Sequence, residues 1–400
     1  MKVLTLLSKH TQLHEFVNPI ADLLKNGIQK NQDGLPSSCL ELAEQIADQV
    51  WDTAIQEPLE NESDDFDWLT RAINRPGGKI VEFWIRALAK RRSELGKNWT
   101  GLSDQYKQRL SKVVSGNSYA SELGRVLLAS QIHFLFTLEP NWTRQNILPL
   151  LDWSIDKKRA QQAWHGYLAW GRGNEAFLPE LMHLFELAFP ELSTERPDKR
   201  DRFCEHLAGI AIYSSSNPVK EGWLAKFLKA VSPEDRKNWA SHIHNLLRSL
   251  PENSAQNLWD RWMNEYWGQR THGLPLPLVQ DEIEEMVEWI PHLGAAFPAA
   301  VKRICASPSP YLEHTYLYTE LRDKKVAANY PEAVTQLLRH LLPNADQTFL
   351  HCDEVEQLVR SLVGSVAQRP ELILVCDDLA RLGCPNAAEL RKLVTENKRD

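Results

Sequence analysis

An all-α fold, an α-solenoid of irregular HEAT-like helical hairpins, is predicted by three features of this sequence. Apolar residues recur at i, i+3, i+4, i+7 and i+8 in segment after segment between Thr11 and Thr395, the spacing of a helix with one stripe to bury. Proline and glycine clusters punctuate these segments at intervals suited to short helix-helix turns. Two stretches also resemble each other as units of about 40 residues, the length of a HEAT-like hairpin.

Taken in order, the polar stretch Pro58 to Asp67 reads as an interruption, and Pro76-Gly77-Gly78 as a turn. Lys79 to Leu95 is a helix, with Ile80, Phe83, Trp84, Ala87 and Leu88 on one face and Lys79, Glu82, Arg86 and Lys90 on the other. Asp156 to Trp170 repeats the pattern through Ala160, Ala163, Trp164, Tyr167 and Leu168, and Gly171-Arg172-Gly173 supplies its stop. The unit comparison pairs Phe177 to Phe189 and Asp198 to Tyr213 with Trp223 to Val231 and Pro233 to Leu250. In the last of these, Ser232 is an N-cap, Pro233 the first helical residue, and Glu234 and Asp235 an acidic first turn. Leu258, Trp259, Trp262, Met263, Tyr266 and Trp267 form one broad stripe, read as a core seam. Gly273, Pro275 and Pro277 forbid a continuous helix from Thr271 to Pro277 and mark the preferred hinge. Val355 to Val366 is a further apolar helix before Pro370 and Gly383-Cys384-Pro385. The expected division is an N-terminal helical segment, 1–65, a helical-repeat region, 66–272, and a C-terminal helical-repeat region, 273–400.

At 43% hydrophobic and 25% charged residues over 400 positions, the chain has the composition of a globular protein with length enough for a core. Its net charge of −7 excludes a generally nucleic-acid-binding surface. No apolar run approaches the roughly 20 residues of a membrane span, and Met1 to Leu7 is too short for a signal peptide, so no membrane partner and a cytoplasmic location are expected. The six cysteines lack paired spacing, which suits reduced and mostly buried thiols.

Charge is segregated. From Cys39 to Thr70 there are ten acidic residues and neither lysine nor arginine, whereas residues 71–125 hold twelve basic residues against four acidic ones. The two stretches are expected to neutralise each other across adjacent helices. The outward basic face of Lys79, Arg86, Lys90, Arg91 and Arg92 is the candidate contact surface for a protein partner, with nucleic acid as the alternative ligand of the 71–125 block.

Catalytic and cofactor motifs are not evident. His10 and His14 stand at i, i+4, and Cys204 with His206 or His242 with His244 offer further ligand types, but none completes the three or four convergent ligands of a zinc site. No catalytic, cofactor or metal residue is therefore assigned. Asp64-Asp65-Phe66-Asp67 resembles the magnesium clusters of helical isoprenoid enzymes imperfectly and reads as a loop capping the next helix, and Asp377-Asp378 carries no more weight. Gly171-Arg172-Gly173-Asn174 follows a helix, outside the context of a dinucleotide loop. Residues gathered from distant helices would leave no such linear trace, so an all-α metal-dependent enzyme stands as an alternative behind the two binding functions.

Asp67 through Trp84, with Asn74, Pro76, Gly77 and Gly78 leading into a helix, together with Leu150-Leu151-Asp152-Trp153 and Trp164 through Arg172, resembles the helical domain of unknown function found C-terminal to sirtuin-like domains in bacterial anti-phage proteins. The resemblance implies a sensor or regulatory region that binds an effector subunit or a phage protein while a partner domain does the chemistry. It assigns no NAD-consuming activity to these residues, since no sirtuin module with its glycine-rich loop and histidine is found in them.

Overall fold

The computed structural model describes residues 14–28, 34–58, 67–313, 316–348, 350–364 and 369–396, and among them it is all-α, with no strand. The chain divides into two compact units, Met1–Glu191 and Leu192–Asp400. In the first, α1 is Val17–Gly27, α2 Leu40–Ala54, α3 Trp68–Asn74, α4 Pro76–Leu95 and α5 Asp104–Ser115. There follow α6 Tyr119–Ser130, α7 Ile132–Leu138, α8 Pro140–Asn146, α9 Lys157–Trp170 and α10 Leu178–Ala188. In the second unit α11 is Pro197–Tyr213, α12 Trp223–Ala230, α13 Pro233–Ser249, α14 Glu252–Leu258, α15 Asn264–Thr271 and α16 Gln280–Val287. The remainder are α17 Phe297–Cys305, α18 Leu317–Asp323, α19 Val326–Asn329, α20 Pro331–Leu341, α21 Cys352–Leu362, α22 Arg369–Arg381 and α23 Ala387–Glu396. None of these helices is long and apolar enough to cross a membrane.

Helix α6 is the centre of the first unit and packs against α3, α4, α5 and α9. Its approach to α9 is close because Gly166 has no side chain: a Cβ there would stand 1.9 Å from the Val126 carbonyl oxygen. Gly78 does the same service for α3, since a Cβ would meet the Ala72 carbonyl oxygen at 1.9 Å. Pro76-Gly77-Gly78 is thus not a turn. Pro76 is the first helical residue of α4, where its missing N–H costs nothing, and both glycines lie within that helix. The expected stop after α9 is present at Gly171. Trp84 lies in the core, 5.3 Å from Trp51 between ring centres.

In the second unit α11 packs on α13, α13 on α16, α17 on α20, α18 on α21, and α22 on both α20 and α23. Ser232 and Asp235 cap α13 reciprocally, each side chain bonding the other's backbone N–H. The aromatic stripe is core, as its spacing requires: Trp259, Trp262, Met263, Tyr266 and Trp267 are all buried, and a π-helical turn at Trp259–Met263 joins α14 to α15. Trp239 of α13 meets Trp262, Tyr266 and Trp289 edge-on or tilted at 5.6 to 6.2 Å. Of the Thr271 to Pro277 segment, Thr271 closes α15 and the rest lies in the loop between α15 and α16, within this unit.

The cysteines depart in part from expectation. Cys352 at the start of α21 is bonded to Cys384 beyond α22, a pairing across 32 residues that gave no spacing signal. Cys39, Cys204 and Cys376 are buried free thiols, and Cys305 is exposed.

Polar ties join helices at a range of separations. In the first unit Arg91–Glu44, Arg125–Gln162, Arg144–Glu180 and Lys157–Glu191 join residues 34 to 47 apart, and Lys79–Asn18 and Arg109–Asp48 join residues 61 apart. In the second, Arg200–Asp235, Arg236–Glu282, Arg339–Glu371 and Arg360–Glu389 join residues 29 to 46 apart, and His244–Glu320 joins residues 76 apart.

Candidate functional site

The segregated charges meet inside the first unit. Glu44 of α2 is buried, and its carboxylate accepts from Arg91 Nε at 2.8 Å, Tyr106 Oη at 2.6 Å and Arg109 Nη1 at 3.2 Å, while Arg109 also grips Asp48 with two bonds of 2.7 Å. Burial is the first cause that pushes the Tyr106 phenol far above its ordinary range, and the Glu44 charge adds to it. The acidic and basic stretches thus form a folded ion-pair cluster.

Of the five predicted contact residues only Arg91 belongs to this cluster. Lys79 is not outward-facing: only 6% exposed, it donates to Asn18 Oδ1 at 2.8 Å and pairs with Asp22 at 2.7 Å, both on α1. Its position in the first turn of α4, with α1 packed across it, is the reason. Arg86 pairs with Glu82 one turn earlier, Lys90 donates to the Leu35 carbonyl at 2.9 Å, and Arg91 to Glu44. Arg92 reaches the Gly96 carbonyl and lies 6.0 Å over the Trp99 ring. These last four are part-exposed.

Asp67 caps α3, accepting from the Leu69 and Thr70 N–H groups, while Asp64 to Phe66 lie outside the described residues. His10 also lies outside them, and with it the His10/His14 pair. Asp378 pairs with Arg339 at 2.6 Å and Asp377 with Arg391 at 2.8 Å, so both are bridged to arginines. His242 is taken by Asp201 at 2.9 Å, and the Cys204 thiol donates to the Asp235 carbonyl at 3.3 Å.

His244 is different. From α13 its Nε2 reaches Glu320 Oε2 of α18 at 3.2 Å, and the same oxygen receives His292 Nε2 at 2.6 Å from the 3₁₀ turn Ile290–His292. Arg248, one turn beyond His244, holds the other oxygen of Glu320 at 3.1 Å. One ligand atom from each of His244, His292 and Glu320 lies within 4.8 Å of the others. The imidazole rings stand 5.3 Å apart at 46°. An ionised carboxylate only accepts, so in this state both Nε2 atoms carry the donated protons. His292 Nδ1 is then left buried with no partner among the described residues.

Electrostatics follow from that geometry. Burial disfavours the charged Glu320, but the hydrogen bonds from His244 and His292 outweigh it and hold the carboxyl down at about 2. Burial lowers the His292 imidazole, with Glu320 pulling it back up and Lys324 and His244 adding to the lowering. His292 and Glu320 had no signal in the sequence, being 48 and 76 residues from His244 in segments whose stripes mark core.

A family model described as Domain of unknown function (DUF4020) matches residues 214–379, a span that contains His244, His292 and Glu320. No curated protein and no solved structure matches the chain.

Proposed function

We propose that this chain is a non-catalytic helical scaffold or sensor, an α-solenoid of HEAT-like hairpins that binds a protein partner in the bacterial cytoplasm as part of anti-phage defence. The observation that supports the reading is the packing of helix on helix through both units, with ties such as Arg360–Glu389 and Arg91–Glu44 among the polar bonds between them, because stacked helical pairs offer extended recognition surfaces. The setting in phage defence rests on the resemblance of residues 67–84 and 150–172 to helical domains beside sirtuin-like modules; the match over 214–379 is to a domain of unknown function and names no setting. The partner is an effector subunit or a phage protein. Its contact surface is the outer edge of α4, where Arg86, Lys90, Arg91 and Arg92 keep part of their side chains in solvent. Lys79 serves that surface only from beneath, by fixing α4 to α1.

The test is affinity capture with the full chain from cells with and without phage infection, against a variant carrying Arg86→Gln and Arg92→Gln. Neither arginine touches the buried Glu44, so helicity stays at the parent value. Stoichiometric recovery of one protein by the parent and its loss in the variant are expected. Equal recovery by both would move the surface off α4, and the absence of any enriched protein would reject the scaffold reading. Binding that instead requires nucleic acid and falls steeply with salt would favour phosphate recognition by the same residues.

A further inference from the structure

We propose that His244, His292 and Glu320 form a binding site for a divalent transition-metal ion of the zinc class, three protein ligands from three separate elements of the second unit. The donor set is the first support: two imidazoles and one carboxylate are ligands that suit zinc, and three protein ligands leave a fourth position for water. The spacing is the second. Zinc bonds of about 2.0 to 2.2 Å in tetrahedral array place ligand atoms about 3.3 Å apart. His244 and Glu320 are already at 3.2 Å, and the Glu320 carboxylate has to withdraw from His292 by less than about 1 Å.

The third support is the energetic position of the group. Two imidazoles and a carboxylate are largely removed from water here, and the ion-free arrangement directs both ring donors onto a single oxygen. For a metal to bind, each neutral ring carries its proton on Nδ1 instead of Nε2, which frees both Nε2 lone pairs to face the ion beside the Glu320 oxygen. Arg248 fixes Glu320 through the other oxygen, as an outer partner orients a ligating carboxylate, and its side chain is 57% exposed, so the cluster lies one movable side chain below the surface. Two features temper the affinity. Arg248 and Lys324 are cations beside the site, and His292 Nδ1–H would lack the acceptor that usually supports a metal-bound imidazole, an omission that weakens binding by about 10- to 100-fold. Micromolar binding is therefore expected. Occupancy would tie α13, the Ile290–His292 turn and α18 into one body, so metal binding adds to folding stability.

The full chain, stripped with a chelator and dialysed, is titrated calorimetrically with zinc and spectroscopically with cobalt(II), whose visible bands report tetrahedral nitrogen and oxygen ligation. One equivalent is expected for the parent. His292→Gln and Glu320→Gln should each lose at least tenfold in affinity with unchanged circular dichroism, whereas Arg248→Ala, which keeps every ligand, should still bind one equivalent. Should the ligand variants not fold, the melting temperature of the parent decides, because zinc must then raise it and a chelator must reverse the rise. A parent that binds no zinc at micromolar metal, binding undiminished in the ligand variants, or a melting temperature that zinc leaves unchanged would each overturn the proposal.

Discussion

Glu282 is where a single atom change should have the largest effect on the second unit. It lies on α16 and is wholly buried, as is Arg270, whose Nε and Nη2 donate to its two oxygens at 2.8 and 2.9 Å. Arg236 Nε adds a bond at 3.3 Å and Tyr266 Oη another at 3.3 Å. Glu282→Gln keeps the shape and removes the negative charge, leaving two buried guanidinium groups without a counter-ion. Both arginines keep carbonyl partners, Arg270 at Leu274 and Leu276 and Arg236 at Leu228 and Val231, so one broken buried pair is the right measure, about 3 to 5 kcal/mol. For a unit of this size each kcal/mol is worth about 2 to 4 °C, and a fall near 10 °C follows. Scanning calorimetry of the full chain measures it, with Glu234→Gln as the control because the Arg200–Glu234 pair is exposed and worth at most about 1 kcal/mol. A Glu282→Gln chain melting within about 2 °C of the parent would refute the assignment of Glu282 as the charge that permits Arg270 to be buried.

Gly166→Ala should destabilise the first unit by about 1 to 3 kcal/mol in urea, because the new methyl meets the Val126 backbone, whereas Gly173→Ala, with open space around it, should be neutral. Reduction of the Cys352–Cys384 bond should lower stability by about 3 to 4 kcal/mol, read as the shift in denaturation midpoint with and without reductant; Cys352→Ser with Cys384→Ser should abolish that response. Burial lowers the pKa of His340 and leaves its Nε2 without a partner among the described residues. A folded pKa below the unfolded one means that the unfolded state takes up the proton first, so the contribution is whole above the unfolded value near 6.5 and is lost as pH falls below it. His340→Gln should flatten that part of the melting-temperature profile between pH 7 and 5, and an unchanged slope would remove His340 as its source.

The local parts of the fold were legible because they are written in neighbouring residues. Ser232 and Asp235 are three apart, and the Trp259 to Trp267 stripe needs only helical periodicity to be recognised as core. The close approaches were not. Pro76-Gly77-Gly78 carries turn residues, and nothing nearby reveals that Gly78 admits the Ala72 carbonyl of α3 and Gly77 the approach of Ala120 of α6. Lys79 stood on the polar face of its own helix but beneath α1, since periodicity describes one helix and not what packs across it. His292 and Glu320 escaped notice for the same reason: each is ordinary in its own segment, and only the packing of α13 and α18 around the Ile290–His292 turn brings them to His244.

The adjacent positions of Asp235 and Arg236 carry an implication for where the chain can change length. Asp235 accepts from Arg200 of α11 and Arg236 donates to Glu282 of α16, so one turn of α13 serves a neighbour on either side. A residue added between them would swing one partner about 100° around the helix and break that bond. Extra residues in the loop between α11 and α12 would leave the two in register with each other, so lengthening is tolerated there and not inside α13.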